Sequence, residues 1–174
     1  GAMPVVYSQT VLPSGRTVQS ALAYMQKDYT GERSAYLVHS LVLSEEDRVM
    51  AFANNSAVSF NPDMFITDVS LFNLTASNAA PNRCYPDVAY VPSALPNIQR
   101  NVKKYNPEII KGFISAILLA LCGNGKSVYF RLPVEDGQAS REALELINTV
   151  TTVLPAYFKE ALSFVTFVTD YTGY

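Results

Sequence analysis

Between Asn106 and Thr169 the hydrophobic pattern switches repeatedly between helical and strand periods, and that alternation limits the fold more than any other feature of the chain. Asn106 can cap a helix, Pro107 suits a first turn whose amides are orphaned, Glu108 favours the positive end of the dipole, and Gly123 stops the helix. This helix is apolar nearly all round, which predicts burial on more than one side. Lys126 to Leu132 then reads as a strand, with Val128, Phe130 and Leu132 facing one way. Ser140 to Leu154 reads as an amphipathic helix with Ala143, Leu146, Ile147, Val150 and Leu154 on one stripe. Pro155 breaks it, a further turn or two follows over Ala156 to Ala161, and Leu162 to Thr169 is a last strand. Helix, strand, helix, strand at these lengths is the pattern of a right-handed crossover between parallel strands. The expected class is α/β or α+β: one domain on a mixed sheet, with this crossover unit as its rigid part.

The N-terminal half is less regular. Val5 to Leu12 is β-rich and ends at the turn cluster Pro13-Ser14-Gly15. Thr17 to Lys27 carries Val18, Leu22 and Met25 at helical spacing and reads as a short helix. Tyr36 to Leu43 alternates, so that Leu37, His39, Leu41 and Leu43 share one face and Tyr36, Val38, Ser40 and Val42 the other. Ser44 caps a helix to about Ala53, with Glu45, Glu46 and Asp47 loading its first turn and Asn54-Asn55 ending it. From Ser56 to Gln99, five prolines and short apolar pieces predict irregular chain with two short strands.

Gly1 to Met3 read as a protease-cleavage scar and initiator Met, which leaves 4–174 as a single globular domain. A chain of this size buries roughly 70% of its unfolded surface and needs no disulfide or metal to hold a core. The ending at Asp170–Tyr174, directly after a strand, reads as the N-terminal part of a longer protein. Charged residues are 16% of the chain, against a typical ~25%. Between Val49 and Gln99 the only charges are Asp63, Asp68, Arg83 and Asp87, so this stretch is either core or an interface with another domain or subunit. A net charge of −2, with no basic cluster denser than Arg100 to Lys104, excludes the electrostatic footprint of a nucleic-acid binder. The apolar run Gly112 to Cys122 falls well short of the ~20 residues of a membrane span and reads as a core helix. Cys84 and Cys122 form no CxxC pair and, with one histidine, no zinc-type set, so reduced cytoplasmic thiols and no metal or cofactor are expected. Asn54-Asn55-Ser56 and Asn73-Leu74-Thr75 match the glycosylation pattern, but no signal peptide accompanies them.

His39 is the only histidine, so any imidazole chemistry must pass through it. Ser40 faces the other side of the strand and cannot be its nucleophile. A hydrolase centred on His39 with Cys84 or a distant serine is the rival to a non-enzymatic reading. On a leucine face, His39 reads first as a structural residue with a neutral, hydrogen-bonded ring, which Glu32 or Arg33 could flank. Gly123-Asn-Gly125-Lys126-Ser127 resembles the end of a phosphate-binding loop. Ala120 stands at its first glycine, however, and a helix precedes it, so its amides would point the wrong way and no nucleotide is expected. Glu142 and Glu145 read as a solvent face. Eleven Tyr and nine Phe allow a small-ligand sensor as a third reading, although aromatics at that level are mostly core.

The segment Gly31-Glu-Arg33-Ser-Ala-Tyr36-Leu-Val-His39-Ser-Leu-Val-Leu43 resembles the Gly-Arg, aromatic, His-Ser/Ala-Leu-Val stretch of the N-terminal domain of bacterial GTPase-associated proteins. Glu32 separates a Gly and Arg that this family tends to keep adjacent. The ending Val153-Leu154-Pro155-Ala-Tyr-Phe-Lys-Glu-Ala-Leu162-Ser163-Phe164-Val-Thr166-Phe167 resembles the family's leucine-proline, short helix, Leu-Ser-Phe-x-Thr close. The resemblance implies a cytoplasmic bacterial protein with further domains, acting beside a partner GTPase in an NTP-dependent system of conflict or defence. It carries over Arg33, Tyr36 and His39 as motif positions without an assigned role, and no catalytic residue. The leading reading is a non-enzymatic interaction or scaffolding domain, its partners other domains of the same protein and a GTPase, with oligomers allowed.

Overall fold

The computed structural model describes residues 3–25, 32, 34–53, 59–68, 89–91, 94–95, 97–123, 127–132 and 136–168. Strands β1 (Val6–Val11) and β2 (Thr17–Met25) form an antiparallel hairpin with Ser8 opposite Ser20. Its turn needs Gly15, whose φ of 80° is left-handed. Strand β3 (Ala35–Val42) pairs antiparallel with β2, and the two-residue β4 (Phe164–Val165) pairs antiparallel with β1, giving the order β3-β2-β1-β4.

Helix α1 (Glu45–Arg48) starts on a capping box at Ser44 and continues as a π-helical turn over Val49–Ala53. After a 3-10 turn at Pro62–Met64 come α2 (Ile98–Tyr105), α3 (Pro107–Cys122), α4 (Asp136–Thr151) and α5 (Ala156–Ala161). Helices and a sheet thus share one mixed α/β domain, as expected.

The strand directions and several elements depart from expectation. Every ladder among the described residues is antiparallel, so the sheet is not mixed. Residues 127–132, expected as a strand, join no ladder, and Val128, Tyr129 and Phe130 are exposed. Residues 17–25 are a strand rather than a helix. Their inward face is Thr17, Gln19, Ala21, Ala23 and Met25, all buried, and two polar side chains on it disguise the alternation. Helix α2, in chain expected to be irregular, begins where the Asn97 side chain accepts from the Arg100 amide. It ends at Asn106, whose φ of 65° turns the chain by 100° while its side chain accepts from the Glu108 amide to start α3.

Helix α3 is buried on one side only. Ile110 and Ile117 are buried, whereas Leu119 is 74% exposed. It ends at Gly123, where the chain turns extended and a Cβ would lie 2.5 Å from the Leu119 carbonyl oxygen, so the turn requires glycine. The helix buried on two sides is α4. Leu146, Ile147 and Val150 pack with Tyr105, Ile110, Ile117, Leu154 and Leu162 in the largest apolar cluster, while Leu144 joins Ala21, Phe60 and Phe65 beneath the sheet. Phe164 packs against both clusters, so β4 ties them together.

Between α4 and the sheet lies a buried polar ladder. The Gln9 side-chain amide donates to the carbonyls of Lys159 (3.1 Å) and Leu162 (2.7 Å), and its oxygen accepts from Gln19 (2.9 Å). Gln19 also donates to the Ser59 carbonyl, and Asn148 donates to that of Phe60. The amide donors of all three side chains are paired, which fixes how strand, loop and helix meet, although Gln19 Oε1 and Asn148 Oδ1 have no hydrogen-bond partner among the described residues.

Candidate interaction surface

Among the described residues the helices pack on the face of the sheet that carries Gln9, Ala21 and Leu41, and the other face is open. Strand alternation and the registers sort the open side into rows that run across the strands. Thr10, Val18 and Val42 form one row; Ser8, Ser20, Ser40 and Val165 the next; then Val6, Leu22 and Val38; then Tyr24 and Tyr36. None carries a charge. Tyr36, Val38, Val42 and Val165 are 54%, 55%, 57% and 50% exposed. The serine row is short and hydrogen-bonded internally, Ser20 Oγ lying 2.8 Å from Ser40 Oγ, which makes a shallow trough between aliphatic ridges. Tyr24 and Tyr36 close one end with an edge-to-face contact at 5.6 Å between ring centroids. A contiguous face without charged side chains, aliphatic, aromatic and hydroxyl in make-up, is the candidate interaction surface.

The exposed side of α3 is a weaker surface. Glu108, Lys111 and Ser115, all exposed, lie between or beside Ile109 and Leu119 and break its apolar character.

Tyr36 and His39, singled out in the sequence, fall on opposite faces of β3. The His39 ring lies on the covered side, edge-on to Phe65 at 5.6 Å between centroids, and its Nδ1 accepts from the Ile66 amide at 2.9 Å. Partial burial holds its pKa below the ordinary histidine value, so the ring is neutral with its proton on Nε2. Its place is that of a clamp between β3 and the 62–66 turn. Ser40 faces the open side, away from it. Arg33 and Cys84 lie outside the described residues, as do residues 124–126 of the loop after α3; Glu32 is exposed. Among the described residues no group of three His, Cys, Asp or Glu could hold a metal. Among them also, no single helix is long and apolar enough to cross a membrane.

Two charged clusters were not evident from the sequence. Glu142 is no solvent carboxylate: it accepts from Lys104 Nζ and the Tyr105 hydroxyl and so joins α4 to α2, and those hydrogen bonds hold its pKa below the usual range. The Asn101 side chain adds a bond to Thr149 Oγ1 at 2.8 Å. Asp47, beyond its part in the α1 capping box, accepts from the Tyr90 amide at 2.8 Å and anchors residues 89–91. Arg48 pairs with both Glu45 and Glu160. These are structural couplings between elements; the Arg48, Glu45 and Glu160 group also lines a small open pocket with Val49, Phe52 and Ala156.

Compared with known families, residues 1–65 match the model described as GTPase-associated protein 1, N-terminal domain type 2. Residues 98–173 match that of GTPase-associated protein 1, middle domain. No curated protein and no solved structure matches.

Proposed function

Because the chain belongs to the GTPase-associated protein 1 family, spanning an N-terminal type 2 domain and a middle domain, we propose that it is a non-enzymatic interaction domain of a larger bacterial protein. Its work is to hold a GTPase, or another domain of the same protein, against the open face of its sheet, in a cytoplasmic NTP-dependent system of conflict or defence. The observation that carries this reading is the charge-free face built on β1, β2, β3 and β4, four of whose side chains are at least half exposed. The GTPase link rests on the family's name. Supporting the non-enzymatic part, the one imidazole spends its acceptor nitrogen on the Ile66 amide.

A photo-crosslinking residue at Val18, in the centre of the face, tests this in the full-length protein in its own host. Expected adducts map to a GTP-binding protein or to another domain of the chain. Adducts from Leu119 on α3, with none from Val18, would move the interaction surface to the helical side and overturn the proposal.

A further inference from the structure

The two edges of the sheet are finished differently. At the β4 edge, the outward amides of β1 are taken up: Tyr7 donates to Thr166 Oγ1 at 2.9 Å and Val11 to Ser163 Oγ at 3.2 Å, while Thr166 donates to the Tyr7 carbonyl. Such capping is how proteins protect an edge from further pairing. Among the described residues the β3 edge has none of these devices. It runs eight residues, from Ala35 to Val42, without proline, lysine or any other charged side chain.

Which β3 groups point outward follows from the ladder. Leu43 donates to the Thr17 carbonyl, so the odd-numbered residues of β3 bond to β2. The amides and carbonyls of Tyr36, Val38, Ser40 and Val42 therefore point away from the sheet. Among the described residues no backbone group pairs with them.

We propose that β3 pairs with β3 of a second copy of this chain, antiparallel about a two-fold axis at His39. Of the registers that join even residues to even residues, this one leaves no outward group unpaired: Tyr36 meets Val42 of the other copy and Val38 meets Ser40, each pair exchanging two bonds, about eight in all. His39 meets His39 at the axis, and Leu37 meets Leu41. Only at the axis does a residue meet its own copy; there stands His39, whose Nδ1 accepts from the Ile66 amide, and β3 carries no Asp, Glu, Lys or Arg to repel its mate. The second copy thus fits this edge in hydrogen bonding, in side-chain pairing and in charge. The contact is smaller than a standard interface, so the dimer is weak and concentration-dependent.

Analytical ultracentrifugation of the 174-residue chain gives the first reading. Expected is a shift with rising concentration from 19.1 kDa towards twice that mass. Ser40→Pro removes an outward amide and no backbone bond to β2, only the exposed hydroxyl contact with Ser20, so its circular dichroism should be retained and its melting little changed while the dissociation constant rises by about 100-fold. His39→Cys, with Cys84 and Cys122 replaced by serine, should cross-link to its own mate under mild oxidation, because non-bonded antiparallel partners sit at ~4.5 Å between Cα atoms. Leu37→Cys in the same background should not. A chain that stays monomeric at all concentrations, or a dimer that folded Ser40→Pro leaves intact, overturns the proposal. Self-cross-linking of Leu37→Cys in place of His39→Cys overturns the register. Because Ser40→Pro spares the β2 centre of the open face, Val18 adducts in that variant separate this dimer from the partner contact proposed above.

Discussion

Replacing Gln9 by alanine should be among the most damaging single changes outside the apolar clusters. Gln9 is 2% exposed and makes three hydrogen bonds, to the carbonyls of Lys159 and Leu162 and from the Gln19 amide. Each such bond contributes ~1 kcal/mol net, and leaving buried carbonyls unpaired costs more, so Gln9→Ala should lose about 3–4 kcal/mol. Against a domain stability of ~5–15 kcal/mol, that is a large share. Gln9→Leu separates bonding from packing: it refills the space and still strands both carbonyls, so it should cost about 2 kcal/mol or more. Urea unfolding followed by far-UV circular dichroism gives both values. The bonds reach from β1, within the N-terminal match, to α5 and the residue after it, within the middle-domain match. One cooperative transition is therefore expected for the whole chain. A cost under about 1 kcal/mol for both variants, or two separate transitions in the wild type, would refute the reasoning.

Two further outcomes follow from burial and charge. Leu118→Ala should cost ~2–3 kcal/mol because Leu118 packs on the largest cluster, whereas Leu119→Ala, on the exposed side of the same helix, should stay within ~0.5 kcal/mol; equal costs in urea titration would mean α3 is buried all round after all. For His39, a folded pKa below the unfolded 6.5 means the unfolded chain binds the proton more readily, so stability should fall as pH drops through the unfolded value and level off below the folded one. NMR titration of the ring checks the direction, and the slope should vanish in His39→Asn; a folded pKa above 6.5 would contradict the clamp role.

Sequence alone placed the pieces whose local signals agree with their surroundings. β3 alternates cleanly, so the split between His39 inside and Tyr36 outside was legible, as was the Ser44 cap with its acidic first turn. The Asn106-Pro107 start and Gly123 stop of α3 were legible for the same reason. What failed did so where burial and polarity part company. β2 buries Thr17 and Gln19, so its period-two pattern is written partly in polar residues and the remaining Val18, Leu22 and Met25 imitate a helix. α2 is mostly polar and is held to α4 by Asn101, Lys104 and Tyr105, contacts no hydrophobic period announces. α3 is apolar beyond what it buries, and its composition overstated its coverage. The open face was hidden for a related reason: its serines come from three strands and are neighbours only once the registers are known.

Hydroxyl-radical footprinting of Leu22 and Tyr24 tests the central claim most directly. Both lie on the middle strand of the open face, clear of the β3 edge, and Tyr157, 75% exposed on α5, is an internal reference. The purified chain and the full-length protein in its native host would be labelled alike and read by mass spectrometry. The account predicts that both residues are modified in the isolated chain and protected in the cell, with Tyr157 labelled in both. Equal labelling of Leu22 and Tyr24 in the two settings would contradict it, since a face that holds a partner cannot remain open to solvent.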